Sequence, residues 1–160
     1  MTSVQEFTEL YRGVYKDLYR FALCMMRQPE DAEDAVSEAV AVAYEHRNSL
    51  RKKESFRAWI FQITANVCRR KLKEKSRTEV ELSEEYTAQE EDRELQMDVK
   101  KAMEILEEEE KLIVALSAFG GYSSKEIGDL LKMNPNTVRS KRRRAIGRMS
   151  AMLGRQEVLV

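Results

Sequence analysis

Between Asn134 and Ala145 the chain reads NPNTVRSKRRRA, and here residue type and spacing point to chemistry with nucleic acid. On a helix that starts at Pro135, Val138, Ala145, Ile146 and Met149 share one face. Asn136, Arg139, Ser140 and Arg143 fall on the opposite face, with Lys141, Arg142 and Arg144 flanking them. An exposed Arg on such a helix bonds guanine O6 and N7 through two N–H groups, while neighbouring cations hold phosphates. The plain alternative is a solvated charged face. Against it, several signals share one register. Ser123-Ser124-Lys125-Glu126 is a capping box, Ile127, Leu130 and Leu131 face inward up to Met133, and Asn134-Pro135 is a helix start. Residues 123–150 therefore have the layout of a helix-turn-helix.

A second set of cations is less explicit. Arg51, Lys52 and Lys53 sit in a polar stretch, and Arg69, Arg70, Lys71, Lys73, Lys75 and Arg77 close the helix after it. Cations near a helix C-terminus also complement the macrodipole, so by themselves they do not require DNA. Phe56 and Trp59 read as core residues. Cys24 and Cys68 form no CxxC pair and read as small buried side chains, which points to a reducing cytoplasm. His46, the one histidine, reads as a surface residue near a helix end. With no His, Cys or carboxylate cluster at metal spacing, the expectation is a protein without catalytic residues, metal or cofactor.

The elements that must position these residues are helical. Among 160 residues there are six glycines and two prolines, too little punctuation for an all-β fold, and 35% of residues are charged. The longest apolar run, Ala39 to Tyr44, is far short of the ~18 residues a membrane span needs. The N-terminus carries Glu6, Glu9, Arg12, Lys16 and Asp17 where a signal peptide would need an apolar core.

Phe7, Leu10, Tyr11, Val14, Leu18, Ala22, Met25 and Met26 mark one helical face. After Gln28-Pro29, Ala32, Ala35, Val36, Ala39, Val40 and Ala43 mark a second. Ser55 is placed to cap a third helix, with Phe56, Trp59, Ile60, Ile63 and Val67 inward and an end near Lys73. Periodicity returns with Leu95, Val99, Ala102, Met103 and Leu106 and runs on through Leu112, Ile113, Leu116 and Phe119, which predicts one helix broken by Gly120-Gly121. Net charge zero conceals an asymmetry. Residues 1–77 hold 15 basic and 11 acidic groups, 78–95 hold one and eight, and 123–160 hold nine and three. The expected architecture is all-α: a helical domain over 1–76, an acidic linker over 77–95, and a helix-turn-helix domain over 96–160.

DAEDAVSEAV (Asp31 to Val40), FRAWIFQITANVCRRKL (Phe56 to Leu72) and GYSSKEIGDLLKMNPNTVRSKRRRA (Gly121 to Ala145) resemble the group IV, or extracytoplasmic-function, sigma factors of bacterial RNA polymerase. The resemblance covers nearly the whole chain, with its three blocks in the family's order. It implies an N-terminal domain for the −10 promoter element and the polymerase clamp, and a C-terminal one for the −35 element. By this likeness Asp31, Glu33, Asp34 and Glu38 lie on the helix that meets the β′ clamp. The loop from Arg47 to Ser55, with Asn48, Arg51, Lys52 and Lys53, would receive a base flipped from the −10 strand. Asn66, Arg69 and Arg70 match positions near that strand. Arg139, Ser140 and Arg143 match −35 readers, with Thr137, Lys141 and Arg144 nearer phosphates, and Asn136, on the same outward face, is expected to join them at the −35 element. Ser37 and Val40 stand where the family often has Gln and an aromatic, and Gly128 where Ala is common.

The implied partners are core RNA polymerase, through its β′ clamp and β flap, promoter DNA, and an anti-sigma factor. The location implied is cytoplasmic, with the anti-sigma factor a means of holding the chain at the membrane. A free sigma factor should be monomeric. The rival reading is a dimeric helix-turn-helix regulator whose N-terminal half senses a ligand or dimerises, and it predicts stable dimers on palindromic sites.

Overall fold

The computed structural model describes residues 3–78 and 101–154, and every regular element among them is helical. The chain divides into two compact units, Met1–Glu81 and Leu82–Val160.

In the first unit, α1 (Val4–Met26) begins at a reciprocal cap. The Glu6 N–H donates to Ser3 Oγ at 3.1 Å and the Ser3 N–H donates to the Glu6 carboxylate at 3.2 Å. It stops at Arg27, whose φ of 70° is left-handed, and Pro29 opens α2 (Pro29–Glu45) one residue after Gln28. Ala32, Ala35, Ala39 and Ala43 are fully buried along α2. Their small side chains let α1 and α3 (Phe56–Thr78) come close. Leu18, Phe21 and Met25 of α1 meet a core that α3 completes with Ile60, Phe61 and Cys68, and the Phe21 and Phe61 rings stand edge-on at 5.7 Å.

Two expectations for α3 change. Trp59 and Ile63 are only half-buried, whereas Phe61, Thr64 and Cys68 are sealed. A helix that packs on both α1 and α2 buries an arc wider than a single stripe. Thr64 is tolerated there because its hydroxyl donates to the Ile60 carbonyl at 2.7 Å. Ser55 closes a 3₁₀ turn, Lys53–Ser55, that runs directly into α3, and the helix continues past Lys73 to Thr78. The expected linker falls outside the described residues except for Arg77 and Thr78, which end α3.

In the second unit, residues 101–104 are helical, followed by α4 (Glu108–Ala118), α5 (Ser124–Leu131) and α6 (Pro135–Leu153). The single helix expected through Leu106 and Phe119 is in fact interrupted at 105–107. Leu106 is buried at the break, and the Glu107 N–H donates to the Glu110 carboxylate at 3.0 Å. Glu108, Glu109 and Glu110 then occupy the first turn of α4, where carboxylates oppose the positive end of the helix dipole. Leu112, Ile113, Ala115 and Leu116 of α4 form the core with Ile127, Val138, Ala145 and Met149.

Candidate nucleic-acid interface

The helix-turn-helix is set by local chemistry at both ends. Ser123 and Glu126 exchange cap hydrogen bonds at 3.1 and 2.8 Å. At the far end of α5, Lys132 adopts the left-handed conformation with φ of 60°, and the Met133 N–H returns to the Gly128 carbonyl at 2.8 Å. The turn closes so tightly that a Cβ on Gly128 would lie 2.6 Å from the Met133 carbonyl oxygen. Asn134 then starts α6, its side-chain oxygen accepting from the Asn136 N–H at 2.8 Å.

This geometry sorts the basic cluster into two groups. Lys141 bonds Glu109 at 2.8 Å, Arg142 donates to Ser117 Oγ at 3.0 Å, and Arg148 pairs with Glu110. All three partners belong to α4, so these cations hold α6 down. Asn136, Thr137, Arg139, Arg143 and Arg144 are exposed, and Ser140 is half-buried between them. Arg139 bonds the Asn136 side chain, which orients its guanidinium along the helix surface. Lys141, placed by resemblance near phosphates, is turned instead toward α4.

The ion pairs leave an electrostatic trace. The hydrogen bond that Lys141 donates to Glu109 raises the Lys141 pKa, and the nearby carboxylate charge adds to it. Burial pushes the Glu110 carboxyl up, but the bonds from Arg148 and from the Glu107 N–H outweigh burial and leave it below the ordinary value. Sequence reasoning did not identify Glu109, Glu110 and Ser117 as supports of the reading helix. The signal was present in the run of four glutamates at 107–110, which lies in sequence far from the cations it meets.

In the first unit the residues expected to act on a −10 element form two neighbouring groups. The loop after α2 consists of two 3₁₀ turns, Arg47–Ser49 and Lys53–Ser55, anchored by the buried Leu50. Arg47 lies over the Tyr44 ring at 4.0 Å and donates to the Tyr44 carbonyl at 2.8 Å. Lys53 bonds Glu6 of α1 at 3.0 Å, and that bond, with the Ser3 N–H, lowers the Glu6 pKa. Asn48, Arg51 and Lys52 remain exposed on the loop, and Asn66 and Arg69 are exposed on α3.

The acidic stripe of α2 divides. Glu33 and Asp34 are open to solvent. Asp31 accepts from Lys75 at 2.8 Å, and Glu38 pairs with Arg70 and, at 3.4 Å, with Lys71. Two residues expected to face polymerase are thus bonded to the basic end of α3, and one of their partners, Arg70, is a residue expected to face DNA. Among the described residues no group of His, Cys and carboxylates has the spacing to hold a metal ion.

Residues 10–78 match the family described as Sigma-70 region 2, and residues 96–149 match Sigma-70, region 4. The chain is similar to the RNA polymerase sigma-E factor of Streptomyces coelicolor, with 30% identity over 93% of this chain and 86% of that protein. It is also similar to the ECF RNA polymerase sigma factor SigM of Mycobacterium tuberculosis, with 29% identity over 92% of this chain and 77% of the relative. In fold it matches the sigma factor RpoE of Bartonella quintana, solved in complex with the anti-sigma factor NepR. That match has a TM-score of 0.80 at 23% identity and covers 94% of this chain and 98% of the other.

Proposed function

The chain belongs to the RNA polymerase sigma factors, in their extracytoplasmic-function group, and on that premise we propose which of its residues read the promoter and which meet the enzyme. It acts in transcription initiation, with core polymerase and promoter DNA as partners. Arg139, Asn136, Ser140 and Arg143 read base edges of the −35 element, and Thr137 and Arg144 hold phosphates. Lys141 supports α6 rather than DNA. The observation that carries this reading is the sorting of the basic cluster: three cations of α6 are bonded back to α4, while Arg139, Arg143 and Arg144 remain exposed.

The −10 element meets the loop of Asn48, Arg51 and Lys52 together with Asn66 and Arg69. Melting requires no bond-making residue. Extruding a base costs a few kcal/mol, and capture of the flipped base by the loop, with cations along the strand, offsets that cost. Glu33 and Asp34 make the first contact with the β′ clamp, and Asp31 and Glu38 follow once their internal pairs open. The C-terminal unit sits at the β flap. The domain limits of this reading are 1–76 and 96–160, joined by an acidic linker. Among the described residues no helix is long and apolar enough to cross a membrane. A cytoplasmic, monomeric protein restrained by an anti-sigma factor, itself able to hold it at the membrane, completes the proposal. The solved complex of RpoE with NepR supports restraint by an anti-sigma factor, by likeness of fold.

Run-off transcription tests the whole reading. Purified chain, bacterial core polymerase and a library of randomised −35 and −10 elements should yield core-dependent transcripts enriched in a bipartite motif. Absence of both transcripts and core binding, with a stable dimer on palindromic DNA, would replace the sigma assignment of these residues by that of a regulator.

A further inference from the structure

The exposed arginines of α6 are not alike. Arg143 and Arg144 have no hydrogen-bond or ion-pair partner among the described residues, whereas Arg139 donates through Nη2 to Oδ1 of Asn136. No carboxylate among the described residues pairs with Arg139, so the Asn136 amide alone holds its guanidinium. The acceptor is itself well fixed. Asn136 is the second residue of α6, directly after Pro135, and its N–H donates to the Asn134 side chain at 2.8 Å. Val138 is sealed in the core, and Lys141, Arg142 and Arg148 tie the helix to α4. Arg143, four residues beyond Arg139, is a like charge that disfavours the opposite swing of the side chain.

An amide acceptor does what a carboxylate could not. A carboxylate beside Arg139 would offset its charge, while a neutral carbonyl oxygen fixes the plane of the fork and leaves the charge whole. The amide is also committed by this bond. To grip adenine, an Asn turns both its oxygen and its nitrogen to the N6 and N7 edge. With its oxygen turned to Arg139, Asn136 has only its nitrogen left to face DNA. The two side chains together present donors, and guanine, whose O6 and N7 both accept, is the base edge that matches them.

We propose that Asn136 is a positioning residue: it sets the base selectivity of Arg139 and reads no base pair of its own. This rests on the promoter reading above and narrows the part that Asn136 takes in it. The gain is entropic. An arginine carries much rotamer freedom, which it gives up when it makes two parallel bonds to guanine. Asn136 removes part of that freedom before DNA binds. A wrong base does not call for the two-bond geometry and gains nothing from the tether. The bond therefore acts as discrimination at one base pair, not as affinity for DNA in general.

The experiment uses holoenzyme made from the full chain and core polymerase. A promoter selected from the randomised library competes against versions singly substituted at each −35 position, and Arg139→Ala locates the base pair that Arg139 reads. Asn136→Ala should lower the preference for guanine at that same pair about three- to tenfold, the range for one long side chain left to be immobilised on binding. Preferences at the other −35 positions should stay as in wild type, and so should the salt slope, because no charge is lost. With Arg139→Ala already in place, Asn136→Ala should change nothing further at that pair. Asn136→Asp, whose carboxylate accepts the same bond, should keep the guanine preference while weakening binding evenly on all sequences, since its charge repels phosphates. Additive losses in the double variant, or a preference lost at a second base pair, overturn the proposal and make Asn136 a reader in its own right. An even loss on every sequence from either alanine variant overturns it as well. Wild-type holoenzyme that prefers no −35 sequence removes the promoter reading instead, and this inference with it.

Discussion

Replacing Gly128 with alanine tests whether the turn of the helix-turn-helix is as tight as it stands. The added Cβ would lie 2.6 Å from the Met133 carbonyl oxygen, where ordinary contact begins at 3.4 Å, so about 0.8 Å must be found. The obstacle is a backbone atom of a turn fixed by a left-handed Lys132 and by the bond from the Met133 N–H to the Gly128 carbonyl, so no side-chain rotation relieves it. Overpacking of this kind costs ~1–3 kcal/mol, and the rigid neighbour puts it in the upper half of that range. Alanine recovers about 1 kcal/mol of helix propensity. The net loss is about 1–2 kcal/mol, and at ~4–8 °C per kcal/mol for a unit of this size the midpoint should fall by roughly 4–16 °C. The assay separates the units, because the single tryptophan, Trp59, lies in the first one. Helical circular dichroism should show an earlier transition, while Trp59 fluorescence keeps its wild-type midpoint. An unchanged or raised midpoint by circular dichroism would refute the reasoning and mean that the turn relaxes freely.

Three further outcomes follow from the geometry. Arg139→Ala should cost about 1–3 kcal/mol of binding at one base pair of the −35 element, measured by competition among singly substituted duplexes; an equal loss on every sequence would make Arg139 a phosphate contact. Lys141→Ala should lower the thermal midpoint of the C-terminal unit and leave the salt slope of DNA binding unchanged, whereas a slope reduced by about 0.9 would return Lys141 to the phosphates. Glu110 has a folded pKa below its unfolded one, so its contribution is complete above the ordinary carboxylate range and is lost as pH falls through the lowered value. Urea midpoints of the wild-type chain should therefore fall more steeply below about pH 4.5 than those of Glu110→Gln, a reference pKa for this carboxyl; parallel curves would exclude the Arg148 pair as a source of stability.

How much of this was legible in the sequence depended on distance along the chain. Ser123 with Glu126 and Asn134 before Pro135 are signals whose donors and acceptors lie within a turn of each other, Pro29 is a local backbone signal, and each marks a helix end in the structure. The inward faces of α1 and α2 were also readable, because each packs mainly along one stripe. The break at 105–107 was hidden because Leu106 keeps the apolar period while the backbone leaves the helix. The glutamates that follow carried the information, as a first turn. Which cations of α6 face outward was not readable from α6 alone. Lys141, Arg142 and Arg148 are turned by partners 25 to 38 residues earlier, and no local periodicity encodes that. Arg70 was hidden for the same reason, since its partner Glu38 lies on another helix.

The pair formed by Glu38 and Arg70 has a thermodynamic consequence for the roles that the sequence resemblance implies for its two ends. If the carboxylate serves the clamp and the guanidinium serves DNA, each engagement must first open the same bond, and whichever comes first has already met that cost for the second. Binding free energies around such a cycle are reciprocal, so polymerase raises affinity for the promoter by the same factor as the promoter raises affinity for polymerase. An ion pair as exposed as this one is worth ~0–1 kcal/mol, which limits the cooperativity from Arg70 and Glu38 to about fivefold. The Lys75 and Asp31 pair beside it adds a second, similarly small increment if it opens in the same step.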